Sequence, residues 1–248
     1  MIQGWKAVYY REALLLRRRF WKTLGTMSVS PLLYILAFGW AMAPAGQEDG
    51  SMGADYLRFL LPGLAAMSSM TQAWAIAGEI NIARFYWRIF EEIQAAPVAP
   101  GGYVLGEVLA GMTRAFLGVL AVLGLGFVFG VHLTLGPAFW LALGLNSFFF
   151  ASLAVGLAMH IKSHADQALL TSFVVTPMAF LGGTFFPVER LPVVVRELLL
   201  LLPLTHASRA ARAAATGAEL PLLSLVILLV VGALAFAFAI KSVAGARD

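Results

Sequence analysis

Five stretches of the chain run for 18 residues or more without Asp, Glu, Lys or Arg: 23–47, 59–78, 115–161, 167–188 and 220–240. A helix rises about 1.5 Å per residue and the hydrocarbon core of a bilayer is about 30 Å thick, so about 20 apolar residues cross it. The third stretch is 47 residues long, too long for one crossing, and is broken by Gly130-Val131-His132-Leu133-Thr134-Leu135-Gly136-Pro137. Gly and Pro at both edges of that octet mark a hairpin. Division there predicts six spans: about Leu24–Ala43 with a kink at Pro31, Leu57–Glu79, Tyr103–Val131, Pro137–Ile161, Asp166–Gly183 and Leu220–Ile240. No fixed-period repeat and no inverted duplication is visible.

Two segments are patterned but cannot cross. Residues 1–22 mix Trp5, Val8, Tyr9, Leu15, Leu16, Phe20 and Trp21 with six bases, which predicts an amphipathic helix in the headgroup layer. Residues 184–212 include an apolar dozen, Leu191–Leu202, interrupted by Arg196-Glu197. It is too short to span and reads as a re-entrant or interfacial outer hairpin between spans five and six. The expectation is one all-α integral membrane domain over residues 1–248.

Composition excludes the other classes. Of 248 residues, 60% are hydrophobic and 12% charged, against about 25% charged in a soluble domain. A mean hydropathy of +0.85 agrees. A soluble globule, a nucleic-acid-binding module and a disordered tail all fall away, so the +4 charge bears on orientation rather than on nucleic acid. With the N-terminus inside, eleven Lys or Arg lie on the cytoplasmic side, against five outside (Arg58, Arg190, Arg196, Arg209, Arg212). Both termini are therefore expected in the cytoplasm. Ala41-Met42-Ala43 resembles a signal-peptidase site, but the charged leader and the apolar run are both too long for a signal peptide, so no cleavage is expected.

The inner loop after span two carries the most readable chemistry. Across residues 81–96, Ile82, Phe85, Ile89 and Ile93 recur at spacings of three and four, predicting a helix with one apolar stripe. Arg84 and Arg88 fall one turn apart, and Arg88 can pair with Glu91 or Glu92. Pro97 and Pro100 end the segment. It can be a solvated connector or a docking surface for another protein. Within span three, Arg114 is too costly to face lipid and must meet a wet cavity or a neighbouring helix. Glu107 lies two turns earlier on the same face, too far for a direct pair. Gly106, Ala110 and Gly111 allow close helix approach on the same span. Pro177, Gly182, Gly183 and Pro187 break the outer end of span five, where an outer lid over a transport path or an inert hairpin would form.

Other chemistry is missing from the sequence. There are no cysteines, hence no disulfide and no thiolate metal site. His160 and His164 are one turn apart but lack a third ligand beyond Asp166, so no metal is expected. No nucleophile stands with a base and no carboxylates pair, so no catalytic residue is expected. The Lys-Ser pairs at 162–163 and 241–242 follow Ile161 and Ile240, where a phosphate-cradling loop needs Gly.

Glu91-Glu92-Ile93-Gln94-Ala95-Ala96-Pro97-Val98 resembles the acidic pattern ending in Pro-Val that follows span two in ABC exporter permeases of the second type. Thr176–Pro187 resembles the signature ending their fifth span, and Leu191-Pro192 and Leu202-Pro203-Leu204-Thr205 are similar to the outer-loop elements that follow. The resemblance covers essentially the whole chain. It implies a half-permease that dimerises and rests on two separate ATP-binding subunits in a bacterial inner membrane, with ATP and Mg bound by the partner and no cofactor on this chain. Residues 81–92, through Arg84, Phe85, Arg88, Glu91 and Glu92, would couple to the ATPase. Arg114 and Glu107 would border the translocation path, and Pro177, Gly182, Gly183 and Pro187 the outer gate. The cargo would be a lipid, glycolipid, polysaccharide or hydrophobic drug. An ATP-independent carrier or channel, and a non-transporting membrane scaffold, are the competing readings.

Overall fold

A computed structural model describes residues 4–41, 54–87, 89, 90, 92, 96, 98–161 and 163–246. Arg88 and Glu91 lie outside the described residues, as do residues 42–53, where the first outer loop is expected. The described residues form helices and connecting turns without a strand: α1 Trp5–Arg18, α2 Phe20–Ala41, α3 Ala54–Trp74, α4 Ile76–Asn81, α5 Pro100–Val128, α6 Pro137–His160, α7 His164–Leu170, α8 Thr176–Leu181, α9 Val193–Leu199, α10 Pro203–Thr216 and α11 Leu222–Gly245. Single π-helical turns follow α4 at Ile82–Tyr86 and join α7 to α8 at Thr171–Val175.

Proline and glycine set the ends. Pro100, Pro137 and Pro203 open α5, α6 and α10, where a missing N–H costs nothing because the first turn has no partner for it. Gly217 closes α10 at φ +73°, a left-handed cap that favours glycine.

Among the described residues, three helices are long and apolar enough to cross a membrane: α5 with 29 residues, and α6 and α11 with 24 each. Helices also stand at the other three expected spans but fall short of that standard. α3 carries Arg58, Ser68, Ser69, Thr71 and Gln72 within its length, α2 is described only as far as Ala41, and the fifth is split by its π turn. The amphipathic leader ends earlier than the composition suggested. Arg19 leaves helical geometry at φ −111° and ψ 16°, so α2 begins at Phe20.

α6 is the central helix, apolar all round and surrounded by α3, α5, α10 and α11. Its one buried amide is fully engaged on the donor side: Asn146 Nδ2 donates to the Ala66 carbonyl (3.1 Å) and to Ser69 Oγ (2.6 Å) of α3. α1 lies against α5, where Gly106 makes room: a Cβ there would fall 2.7 Å from Val8 Cβ. Gly111 approaches Ala151 and the Ala73 carbonyl in the same way. These small residues of α5 are thus spent on packing within one protomer. α11 buries only one face, against α6; Leu222, Leu223, Val226 and Leu229 on the other are exposed.

Candidate coupling and translocation site

The stripe expected along residues 81–96 does not follow one helix. α4 ends at Asn81 and the next turn widens: Trp87 N–H donates back five residues to the Ile82 carbonyl at 3.1 Å. A π turn adds a residue and rotates everything beyond it. Phe90 therefore goes inward, edge-on to Tyr103 at 5.5 Å, while Phe85, Tyr86 and Trp87 point out, 46%, 81% and 43% exposed. Arg84 turns inward. Its guanidinium donates to the Ala158 carbonyl at 2.6 Å, in the last turn of α6, and lies against the Phe85 and Phe90 rings at 5.2 and 5.1 Å. A cation at a helix C-terminus meets carbonyls that lack intrahelical partners and the negative end of the dipole. Burial lowers the Arg84 pKa from its ordinary value, partly opposed by Tyr103. Glu92 is exposed. Arg84 is thus the anchor of this tip and the three aromatics its face. Tyr86 and Trp87 are the members that sequence spacing passed over.

Arg114 and Glu107, on one face of α5, go to different partners. Arg114 Nη1 pairs with Glu79 Oε1 of α4 at 3.0 Å. Both border a chamber of about 190 Å³ enclosed by α1, the start of α2, α4 and α5, together with Glu12, Arg19, Lys22 and Trp87. Glu107 lies under α1, wholly buried, with Arg11 Nη2 3.4 Å from its Oε1. Arg11 also pairs with Glu12.

A second hollow of about 270 Å³, its lining part polar and part apolar, lies between α2, α3 and the 171–180 segment. Ser30 and Tyr34 face it from α2, Thr71 and Gln72 from α3, Thr171 and Thr176 from the broken helix. Thr26 borders both this cleft and the Arg114 chamber, so the two adjoin. None of these residues is charged, and scattered hydroxyls within an apolar run leave no periodic mark in the sequence. Trp74 Nε1 donates to Thr171 Oγ1 at 2.9 Å and ties α3 to the π turn.

The C-terminal end of α8 is a turn held by its carbonyls. Gly182 ends the helix and Gly183 sits at φ +74°, where a Cβ would meet Val188 Cγ2 at 2.8 Å. Ser208 Oγ donates to the Gly182 carbonyl at 2.6 Å, Arg212 to that of Gly183 at 2.9 Å, and the Tyr56 hydroxyl to that of Phe185 at 2.9 Å. α3 comes close enough that a Cβ on Gly63 would lie 2.7 Å from the Thr184 oxygen. Arg212 also donates to the Phe59 carbonyl at 3.2 Å, and its guanidinium stacks 3.7 Å over the Phe59 ring. Burial draws its pKa down to about 10, against the pull of Glu189 and Tyr56. Pro177 stands in the first turn of α8, and Pro187 precedes a short 3-10 turn. Arg212 and Ser208 belong to α10, a 14-residue helix that the sequence reading treated as hairpin.

Among the described residues no group of three or more His, Asp or Glu could hold a metal ion. His160 is hydrogen-bonded to Ser242 at 3.0 Å instead.

The family model described as ABC-2 type transporter matches residues 3–216. The inner membrane transport permease YadH of Escherichia coli (strain K12) is 32% identical over 205 residues, covering 81% of this chain and 78% of that protein. Nodulation protein J of Rhizobium meliloti (strain 1021) is 32% identical over 217 residues, covering 82% and 78%. Nodulation protein J of Neorhizobium galegae is 30% identical over 231 residues, covering 88% and 83%.

Proposed function

Because this chain belongs to the ABC-2 type transporter family, whose members are the transmembrane subunits of ABC transporters, we propose that it is the permease half of an ATP-driven exporter. It works as a homodimer on two separate ATP-binding subunits, in a bacterial inner membrane. The chain crosses six times, through α2, α3, α5, α6, the α7–α8 segment and α11, with α1 in the inner headgroup layer and both termini in the cytoplasm.

One observation carries the ATPase partner: the aromatic tip behind Arg84. Three adjacent large aromatics stand exposed at the end of a helix that is tied by Arg84 into the central helix of the bundle. Aromatic residues are enriched at protein interfaces, and clustered apolar exposure marks a docking surface. Arg88, Glu91 and Glu92 supply charge beside it. A movement of the ATPase pressing on this tip reaches α6 directly.

The path runs through the cleft between α2, α3 and the broken helix, with Arg114 at its inner mouth and the Gly182–Pro187 turn at its outer end. Glu107 serves the path indirectly, by seating α1. The lining mixes hydroxyl and amide groups with Met27, Leu64, Met67 and Phe180, which suits an amphiphilic cargo such as a glycolipid.

Co-purification tests the coupling tip. Tyr86→Ala and Glu92→Arg alter exposed side chains and leave the spans intact, so the permease should insert and dimerise yet retain far less ATPase, and ATP-driven transport should stop. Full ATPase retention and full transport in both variants would remove the coupling role and favour an ATP-independent carrier.

A further inference from the structure

The chamber beside Arg114 shares a wall with a larger hollow of different chemistry. Tyr9 and Thr113, hydrogen-bonded through their hydroxyls at 3.1 Å, border both. The larger hollow, about 550 Å³ between α5 and α6, is walled by Leu109, Met112, Phe116, Val119, Trp140 and Leu143. Its polar lining consists of hydroxyls, without a charge. The four α5 residues recur at three and four, so they form one continuous strip. From Leu109 to Val119 the helix rises about 15 Å, half of the roughly 30 Å hydrocarbon core and thus the depth of one leaflet.

The chamber is the reverse. It gathers Arg19, Lys22 and Arg114 with Glu12 and Glu79. Arg114 takes Glu79 and Arg11 takes Glu12, which leaves Arg19 and Lys22 without an ion pair among the described residues. Lys22 is also the last charge before the charge-free stretch 23–47, so it marks where headgroups give way to hydrocarbon. A cationic hollow at headgroup depth opens onto an apolar groove one leaflet deep. That is the shape and charge of one anionic amphiphile.

We propose that the two hollows hold a resident phospholipid of the inner leaflet with an acidic headgroup, its phosphate against Arg19 and Lys22 and one acyl chain along the α5–α6 groove. A zwitterionic lipid would bring an ammonium against the same cations. A free anion would leave the groove empty. The assignment does not depend on the exporter reading, because it needs only the embedded protomer.

The test uses the full chain, held in detergent with either phosphatidylglycerol or phosphatidylcholine of the same acyl chains. Native mass spectrometry then counts lipids retained per chain. Phosphatidylglycerol should be retained and phosphatidylcholine lost. Arg19→Gln with Lys22→Gln, two exposed positions, should weaken phosphatidylglycerol retention about thirtyfold, the equivalent of about 2 kcal/mol for two headgroup-level cations. Gly144 borders the groove, and a Cβ there meets nothing within 4 Å. Gly144→Leu should therefore fill the groove without disturbing helix packing and abolish retention. Equal retention of both lipids, or unchanged retention in either variant, overturns the site. Glycerol phosphate, which has no chains, should not compete; effective competition overturns the two-part character.

Discussion

Replacing Arg11 by leucine should loosen α1 from α5 without touching any span. Arg11 is the cation next to Glu107, which is wholly buried, and it also pairs with Glu12, 7% exposed. Its removal strands two carboxylates under the helix. Removing one partner of a fully buried pair costs about 3–5 kcal/mol. Arg11 is itself 26% exposed and its contact to Glu107 is long at 3.4 Å, so about 2 kcal/mol is the better expectation here. That figure corresponds to about thirtyfold faster amide exchange by local opening of α1. The assay is hydrogen exchange with mass spectrometry on the protein in nanodiscs, following peptides from residues 5–18 against α6 peptides as an internal standard. Adding Glu107→Gln to Arg11→Leu removes one buried carboxyl group left without its cation and should recover part of the loss, the remainder belonging to Glu12. Wild-type protection in the Arg11→Leu protein, or no recovery in the double variant, would refute the assignment of this cluster as the seat of α1.

Arg114→Ala should leave assembly and basal ATP hydrolysis nearly intact while slowing transport; failure to insert or dimerise would make its pair with Glu79 purely structural. Gly183→Ala should lower the melting temperature, because φ +74° costs about 1–2 kcal/mol for a residue with a Cβ and Val188 stands in the way; an unchanged melting curve would contradict the tight turn. His206 donates from Nε2 to the Leu200 carbonyl and accepts at Nδ1 from Ser224, a neutral tautomer. Burial, foremost, holds its pKa below 6.5, with Leu200 opposing and Arg209 adding to the shift. The unfolded chain then takes up the proton first, so stability is full above pH 6.5 and falls as pH drops below it. His206→Gln should flatten that slope between pH 5 and 7, and a slope unchanged by the substitution would place its origin elsewhere.

The long helices were legible in the sequence because lipid and core both demand uninterrupted apolar residues. α6 opens at Pro137, as the turn signal before it required. α11 lies within two to five residues of its expected ends. What escaped was local backbone geometry and pairing across the bundle. Both π turns stand beside a departure from the regular hydrogen-bond ladder or packing: Arg84 donates to the Ala158 carbonyl within one, and Pro177, without an N–H, follows the other. Neither leaves a mark in periodicity. Arg114 was readable as a residue that must have a partner, since charge within an apolar run demands one. Glu79 as that partner was not, because the two are 35 positions apart in the chain. α10 was missed because its Ala-rich face, buried against α3 and α6, is too weakly hydrophobic to stand out beside the spans.

The tie between Arg84 and the end of α6 gives the molecule a push rod. α6 is a stiff 24-residue shaft, gripped at its inner end by Arg84 and packed against α10. α10 in turn holds the carbonyls of Gly182 and Gly183 through Ser208 and Arg212. Under the proposed coupling role, thrust on the aromatic tip has a chain of packed contacts to the Gly182–Gly183 turn: tip, shaft, crossbar, turn. Close packing and two short hydrogen bonds hold the chain together, and the widened turn at Ile82–Tyr86 is where it departs from regular α-helix between the tip and α4.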